Sequence, residues 1–247
     1  DDTITGDDLN NTIITNAGDD NVEGGRGNDY LDGGSNTSVG DSVDYSYLDD
    51  ITAYTSGVKA DLSNETASDL DSGDAVGTDI LKNFENVTGS KNDDSLIGND
   101  SANTLSGNAG DDVLEGKDGD DSLDGGLGKD TLKGGVGDDI LNGGIGDDID
   151  TADFSDATGD LNIDLNASGE VDVGAGLGKD TFISIEGAIG GDYDDTIKGT
   201  SQANTLIGNN GDDTLLGGGA SSSYDYIDGG NGTDFVSYSY IKDETQD

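Results

Sequence analysis

The sequence predicts an all-β fold in which the chain winds into a solenoid of short stacked strands. Three observations predict it: a nine-residue unit repeats in phase along much of the chain, glycines recur at fixed positions of that unit, and an apolar residue recurs at its eighth position. The composition alone, with 55 acidic and 10 basic residues, a net charge of -45 and 30% hydrophobic residues, would indicate disorder. The repeat therefore decides the interpretation.

Six units follow one another without slippage over residues 89–142, from GSKNDDSLI to GGVGDDILN. The same register recurs near both ends of the chain. Two units, at 33–44 and 217–228, carry three extra residues that should bulge from a turn. The sixth position is acidic or Asn throughout, and it holds Asp2, Asn11, Asp20, Asp29, Asp41, Asp94, Asn103, Asp112, Asp121, Asp130, Asp139, Asp148, Asp195, Asn204, Asp213, Asp225 and Asp234.

Each unit combines a turn with a strand. Its first six residues, GGxGxD, permit the positive φ of a tight turn, whereas its last three place one apolar side chain between two polar ones. Two units form one coil of about 18 residues, and coils stacked at the ~4.8 Å strand spacing form two parallel sheets. The eighth-position residues, including Val43, Ile227 and Val236, are therefore expected to point inward.

The repeats fall into three blocks, at residues 1–44, 89–151 and 190–237. Inter-block segments at 45–88 and 152–189 resemble each other, because VDYS at 43 matches ADFS at 152, and TDILKNFENVTGS at 78 matches KDTFISIEGAIGG at 179. GVKADL at 57 and DLNIDL at 160 alternate as half-buried strands do. Residues 238–247 begin a further inter-block segment or cap, so we expect a piece of a longer polypeptide that continues on both sides.

The sixth-position carboxylates require a partner. Stacking places each beside the sixth position of the second unit along, in columns such as Asp112, Asp130 and Asp148, and these charges repel one another. Basic side chains are too few to pair them. Carboxylate and carbonyl oxygens in flexible glycine turns favour Ca²⁺ over Mg²⁺. Because so small an apolar core does not offset the entropy of ordering the chain, the metal-free chain is expected to be unfolded.

Four units, GGRGNDYLD at 24, GGLGKDTLK at 125, GGVGDDILN at 134 and GGNGTDFVS at 229, resemble the RTX, or hemolysin-type calcium-binding, nonapeptide. The resemblance implies a right-handed parallel β-roll with roughly ten calcium ions in its turns. It also implies a larger bacterial toxin, hydrolase or adhesin, exported by the type I secretion machinery to the medium or the cell surface.

The resemblance further implies the ligands. Each ion takes sixth-position side chains from units n and n+2 and carbonyls from positions 1 to 4. Asn11, Asn103 and Asn204 replace the acid in units without a Gly pair, which argues for weak or absent ions there. Asp41 and Asp225 follow the insertions. The metal residues expected are thus all sixth-position residues from Asn11 onward together with the glycines Gly24, Gly25, Gly27, Gly125, Gly126, Gly128, Gly134, Gly135, Gly137, Gly143, Gly144, Gly146, Gly229, Gly230 and Gly232.

Two functions stay open from the sequence. The first is a module that is unfolded without Ca²⁺ and folds on binding it after export; the second is a constitutively folded spacer or ligand-binding region of a surface adhesin. An enzyme is not expected, because the chain has no His and no Trp. The negative charge argues against nucleic acid as a partner, and no apolar run is long enough to span a membrane.

Overall fold

The computed structural model describes residues 1–36, 38–50, 55–70, 76–218 and 224–237. In these ranges the chain has 25 strands and the short 3₁₀ helix Ser46–Asp50. It forms a parallel β-solenoid of about 12 turns, which confirms the predicted fold class. No helix in the described ranges has the length and apolar character that crossing a membrane requires.

The strands are short and follow the repeat. The first five are β1 (Thr3–Thr5), β2 (Thr12–Ile14), β3 (Asn21–Glu23), β4 (Tyr30–Asp32) and β5 (Ser42–Asp44). After the helix come β6 (Val58–Asp61), β7 (Thr66–Asp69), β8 (Thr78–Lys82) and β9 (Asn86–Thr88). The central strands are β10 (Ser95–Ile97), β11 (Thr104–Ala109), β12 (Val113–Asp118), β13 (Ser122–Leu127), β14 (Thr131–Val136), β15 (Ile140–Gly144) and β16 (Thr151–Asp153). The last are β17 (Asn162–Asp164), β18 (Val171–Asp172), β19 (Lys179–Ile183), β20 (Gly187–Ile189), β21 (Thr196–Lys198), β22 (Thr205–Ile207), β23 (Thr214–Leu216), β24 (Tyr226–Asp228) and β25 (Phe235–Ser237).

Successive repeat strands alternate between facing sheets. The first sheet has the order β1, β3, β5, β9, β11, β13, β15, β19, β18, and the second β2, β4, β8, β7, β6, β10, β12, β14, β16, β20, β22, β24. A third sheet contains β17, β21, β23 and β25. Within the repeats the pairing is parallel with an 18-residue offset, as in Leu105 beside Leu123 and Leu114 beside Leu132. Two nine-residue units therefore make one coil.

The inter-block segments continue the stack. β8 joins β4 in parallel, and an antiparallel hairpin of β7 and β6 then carries the second sheet to β10. In the second segment β19 joins β15, β20 joins β16, and β17 starts the third sheet beside β21. We call the β4–β8 junction the first seam and the β15–β19 junction the second seam. The strands predicted from GVKADL and DLNIDL are β6 and β17.

One apolar cluster fills the space between the sheets. The eighth-position residues of the central repeats, such as Leu105 and Leu123, are fully buried, as predicted. Ile227 is only half-buried, and Val236, which we expected to be buried, is 38% exposed because it lies in the last described strand of its sheet. Tyr45 and Phe154, which follow the first and second repeat blocks, are buried. The 238–247 segment, with Tyr238 and Tyr240, lies outside the described residues.

Candidate calcium sites

The sixth-position residues form ladders along the edges of the solenoid. Most of them lie at the end of a turn, just before a strand, and donate their backbone N–H to Oδ1 of the ladder residue one coil further on. The N···O distances are 2.7 Å from Asp94 to Asp112, 2.8 Å from Asp112 to Asp130 and 2.8 Å from Asp121 to Asp139. We call each residue of a ladder a rung. One carboxylate oxygen of each aspartate rung therefore links two coils in register.

The ladders follow the three sheets. The first sheet carries Asp2, Asp20, Asp41, Glu85, Asn103, Asp121, Asp139 and Asp180. The second carries Asn11, Asp29 and Asp79, then Asp94, Asp112, Asp130 and Asp150, and finally Asn204 and Asp225. The third carries Asp195, Asp213 and Asp234. Asp41 and Asp225 thus keep their ladder positions despite the insertions before them. Residue 37 of the first lengthened unit and residues 219–223 of the second lie outside the described ranges.

The other carboxylate oxygen of most rungs is unsatisfied. Buried side-chain oxygens usually have a hydrogen-bond partner, and leaving one without a partner is costly. Within the described part of the chain, no hydrogen-bond donor reaches the buried Oδ2 atoms of Asp20, Asp29, Asp41, Asp112, Asp121, Asp130, Asp139, Asp180 and Asp213. These oxygens are therefore available to a cation.

Glycine carbonyls lie beside these free oxygens. A Cβ added at Gly107 would collide with Oδ2 of Asp112 and stand 2.7 Å from the carbonyl oxygen of Gly125. The same arrangement recurs one unit later at Gly116, with Oδ2 of Asp121 and the carbonyl oxygen of Gly134. Since both oxygens are acceptors, neither satisfies the other. The space that glycine keeps open is lined by the ligand atoms that a hard cation prefers.

Burial makes the ionised form of these aspartates unfavourable. Burial, with a smaller contribution from neighbouring carboxylates, raises the pKa of Asp112 to about 8 and that of Asp121 to about 7. The same cause raises the pKa of Asp180 to about 8 and of Asp130 and Asp139 to about 6. At neutral pH the folded chain therefore needs either protons or bound cations at its ladders.

The donor set is made of oxygen atoms alone. The chain has neither His nor Cys, and in the described ranges no three acidic side chains converge on one point. Any bound ion must therefore complete its shell with other oxygens, of main-chain carbonyls or of water. Ca²⁺, which accepts six to eight oxygen ligands in flexible geometry, fits this set better than Mg²⁺ does.

The asparagine residues of the ladders find hydrogen-bond acceptors for their side-chain amides within the protein. Nδ2 of Asn103 donates to the carbonyl oxygen of Glu85 at 2.8 Å, and Nδ2 of Asn204 donates to that of Gly217 at 3.1 Å. In Asn11, Nδ2 donates to Oδ1 of Asp7 at 3.0 Å. At these positions an amide N–H supplies the positive partner that the acceptors of an aspartate rung lack.

The predicted glycines occupy two kinds of position. Those first in their units, Gly24, Gly125, Gly134 and Gly229, leave no room for a Cβ against their sixth-position aspartate. Those second and fourth have positive φ, namely Gly25, Gly27, Gly126, Gly128, Gly135, Gly137, Gly144, Gly230 and Gly232.

The column position expected for Asp148 is wrong. Asp148 is exposed, and the N–H of Asp130 donates instead to Oδ1 of Asp150 at 2.8 Å. Gly143 accordingly faces Asp150, and Gly146 lies in an exposed turn. The reason is the core: continuing the nine-residue register would bury the carboxylate of Asp150, whereas a two-residue shift buries Ala152.

Sequence reasoning also missed rungs in the inter-block segments. Asp79 and Asp180 are fully buried and extend the ladders from Asp29 and Asp139. A signal for them was present, because GTDIL at 77 and GKDTF at 178 keep the Gly-x-Asp-x-apolar half of the unit. Glu85, whose Oε2 accepts from the N–H of Asp41 at 2.9 Å, carries no such signal.

The family comparison agrees with this geometry. The family model for the RTX calcium-binding nonapeptide repeat (4 copies) matches residues 5–37, 88–123, 115–150, 189–221 and 220–238, which together cover more than half of the chain. No curated protein was found to match the sequence of this chain. Repeats of this family are generally structural and calcium-binding, and are typical of secreted bacterial proteins. The family predicted from the sequence is confirmed: this chain belongs to the RTX calcium-binding nonapeptide repeat family.

Proposed function

We propose that this chain is a calcium-gated folding module of a larger protein. It is unfolded where Ca²⁺ is scarce and folds into the β-solenoid where Ca²⁺ is abundant. One observation carries the proposal: buried Oδ2 atoms such as those of Asp112, Asp121 and Asp130 lack a hydrogen-bond partner among the described residues. A fold that depended on the protein alone would satisfy or expose such atoms.

The sites lie between successive rungs of a ladder. In each, two sixth-position carboxylates, as of Asp112 and Asp130, hold the ion together with carbonyls of the glycine turns, as of Gly125. The rungs between Asp20 and Asp234 offer roughly ten such sites, with Asp150 taking the place predicted for Asp148 and weak or absent ions at the asparagine rungs. When bound, Ca²⁺ supplies the positive charge that offsets carboxylate repulsion and links adjacent coils.

The negative charge of the chain makes its folding depend on calcium. The net charge of -45 expands the unfolded chain, and folding brings carboxylates of neighbouring coils together, so the metal-free fold is opposed by repulsion and desolvation. An ion that binds only the folded chain contributes its binding free energy to folding. Many sites acting together would make the transition steep in calcium concentration.

The gating suits export. A chain kept unfolded at low cytoplasmic calcium is competent for the type I secretion machinery, and it folds in the calcium-rich medium or at the bacterial cell surface. The parent protein supplies any toxin, hydrolase or adhesin activity, and the module itself is not an enzyme. Family membership and the unsatisfied ladder oxygens support this assignment.

Far-ultraviolet circular dichroism of the chain in chelator, titrated with Ca²⁺ and separately with Mg²⁺, tests the proposal. We expect a coil spectrum in chelator and a cooperative change to a β spectrum in Ca²⁺ but not in Mg²⁺. A variant with Asp118→Asn, which removes an exposed charge outside the ladders, should behave like the parent chain. A β-rich, compact chain in chelator would refute gating and favour a constitutively folded adhesin spacer.

A further inference from the structure

The turns of the repeats have two forms, which differ at the second position of the nine-residue unit. In the open form the second residue has positive φ, as in Asn108 at 75° and Gly126 at 107°. Glycine and asparagine adopt such angles more readily than other residues do. In the closed form the second residue does not have positive φ. The second residues of the closed turns within the described ranges are Asp7, Ser90, Asn99, Gly191 and Thr200.

In the closed form, the backbone N–H of the second residue binds the sixth side chain of its own unit. The N–H of Ser90 donates to Oδ2 of Asp94 at 2.5 Å. The N–H of Gly191 donates to Oδ2 of Asp195 at 2.7 Å. The sixth residues of the other closed turns accept in the same way through Oδ1, each at 2.7 Å, and they are Asn11, Asn103 and Asn204.

In the open form, no N–H of the described chain reaches the corresponding oxygen. All nine aspartates whose Oδ2 is buried without a partner among the described residues belong to open turns. The second residues of these turns have φ between 73° and 113°, and they are Asn16, Gly25, Gly34, Asn108, Lys117, Gly126, Gly135, Gly176 and Asn209. The form of the turn therefore decides whether its aspartate keeps an unsatisfied oxygen.

Closed turns make up the first coil of two blocks. The coil at 89–106 begins the second block, and the coil at 190–207 begins the third. Both turns of each coil are closed, whereas the turns of the units from 107 and from 208 onward in the same blocks are open. The two forms are therefore arranged by their place in the block.

The aspartates of the closed coils attach the inter-block segments to the repeats. Oδ1 of Asp94 accepts from the N–H of Val58 in β6 at 2.6 Å. Oδ1 of Asp195 accepts from the N–H of Leu161, just before β17, at 2.8 Å. Both oxygens of each carboxylate thus have a donor from the protein. Unlike the open turns, these two turns offer no unsatisfied carboxylate oxygen to a cation.

A turn carbonyl of each closed coil is occupied as well. Nδ2 of Asn108 donates to the carbonyl oxygen of Gly89 at 2.8 Å, and Nδ2 of Asn209 donates to that of Gly190 at 2.7 Å. Gly89 and Gly190 are the first residues of the closed turns that contain Asp94 and Asp195. Asparagine amides of the next coil therefore supply positive partners to main-chain oxygens of these turns.

We propose that the second residue of each unit selects which turns bind calcium. Open turns bind the ion, whereas the closed coils at 89–106 and 190–207 stay free of metal and join the inter-block segments to the repeats. Asp94 and Asp195, which the repeat pattern predicts as calcium ligands, are then attachment residues. This inference rests on the proposed function, because it concerns which ladder carboxylates bind calcium.

Counting bound ions in the full chain tests the metal-free coil. In equilibrium dialysis against Ca²⁺, with the metal measured by atomic emission, Asp94→Asn should bind as many ions as the parent chain. Asn103 in the same coil shows that asparagine fits a closed turn. The matched variant Asp112→Asn, one coil further along the same ladder, should bind at least one ion fewer. Circular dichroism in calcium checks folding, and Asp195→Asn replaces Asp94→Asn if the latter does not fold.

Exchanging a second residue tests the selection directly. Lys117 lies at the second position of an open turn with φ of 95°, and its Nζ pairs with Oε1 of Glu115 at 2.6 Å. Lys117→Gly and Lys117→Val both remove this ion pair and the same charge, but only valine disfavours positive φ. Lys117→Val should therefore bind at least one ion fewer than Lys117→Gly, which should match the parent chain.

The ion counts separate the two parts of the inference. A lost ion in Asp94→Asn or Asp195→Asn would overturn the metal-free coil, and so would an unchanged count in Asp112→Asn. Equal counts in Lys117→Val and Lys117→Gly would overturn selection by the second residue. A parent chain that is already folded in chelator would instead refute the proposed function, and the ion counts would still decide which turns bind calcium.

Discussion

Replacing Asp121 by Asn should have opposite effects with and without calcium. Asp121 is buried in the first-sheet ladder, where its Oδ1 accepts from the N–H of Asn103 at 2.7 Å. Asn keeps that acceptor, and its Nδ2 can donate toward the carbonyl of Gly134, as Asn204 does to Gly217. The variant therefore removes a charge and adds a donor without changing the size of the side chain.

The magnitude follows from the pKa. Burial raises the pKa of Asp121 from 3.8 to about 7, and one pKa unit corresponds to about 1.4 kcal/mol. Above neutral pH, ionised Asp121 therefore opposes the calcium-free fold by about 4 kcal/mol, or by about 2 kcal/mol if water penetrates the turn. Asp121→Asn should stabilise the calcium-free fold by that amount. In calcium the same variant loses a ligand and should be less stable than the parent.

Two titrations measure these effects. In chelator, a stabilising osmolyte such as trimethylamine N-oxide drives folding, and Asp121→Asn should fold at a lower osmolyte concentration than the parent. In saturating Ca²⁺, urea should unfold the variant at a lower concentration than the parent. Asp100→Asn removes the same charge from an exposed position that is not among the charges raising the pKa of Asp121, and serves as the control. Equal shifts in both variants would refute the ladder argument, because overall charge would then explain the result.

Acidification should partly replace calcium. Burial raises the pKa of Asp112 from 3.8 to about 8, so the folded calcium-free chain holds protons that the unfolded chain releases. This stabilisation is complete below about pH 3.8 and is lost as the pH rises through about 8. Lowering the pH of the chelated chain from about 8.5 to about 5 should therefore increase the β signal in circular dichroism. A β signal that does not change with pH would contradict this prediction. Gly116→Ala would push a methyl group into the oxygen-lined space and should lower the bound-ion count, whereas Gly169→Ala, with no atom within 4 Å, should not. Leu123→Ala leaves a cavity in the core and should lower the free energy of unfolding in calcium by about 2–5 kcal/mol, measured by urea titration. The control Leu127→Ala, at a 50% exposed position, should change it by less than about 0.5 kcal/mol, and similar losses in both would contradict the stacking of inward leucines.

The period of nine predicted most of the fold because it repeats without interruption in the central block. An 18-residue coil follows from it, and the pairs Leu105–Leu123 and Leu114–Leu132 follow from the coil. The Oδ1 links were not predicted. They depend on the backbone N–H of one rung facing the carboxylate of the next, which residue types alone do not reveal.

Errors occurred where the period is broken. At Asp148 the nine-residue period would place a carboxylate in the core where an apolar residue belongs. The chain shifts by two residues instead, because burying a carboxylate costs more free energy than a two-residue bulge. At Asp79 the turn glycines are reduced to one, and at Asp180 Ala175 replaces the first glycine, so the repeat signature is incomplete at both. Glu85 reaches the ladder with a longer side chain, and no spacing rule would find it.

The stacking of coils also determines how the molecule would yield to force. Strands lie across the stacking axis, so a pull on the two ends peels coils off one at a time and breaks few bonds at once. Each peeled coil would release 18 residues, or about 60 Å of extended chain. The first seam joins rungs 50 residues apart, but β5 and β6 lie between those rungs and pair with β9 and β10, so they are released separately. The inter-block segments would thus mark their positions as irregular steps in a single-molecule extension trace.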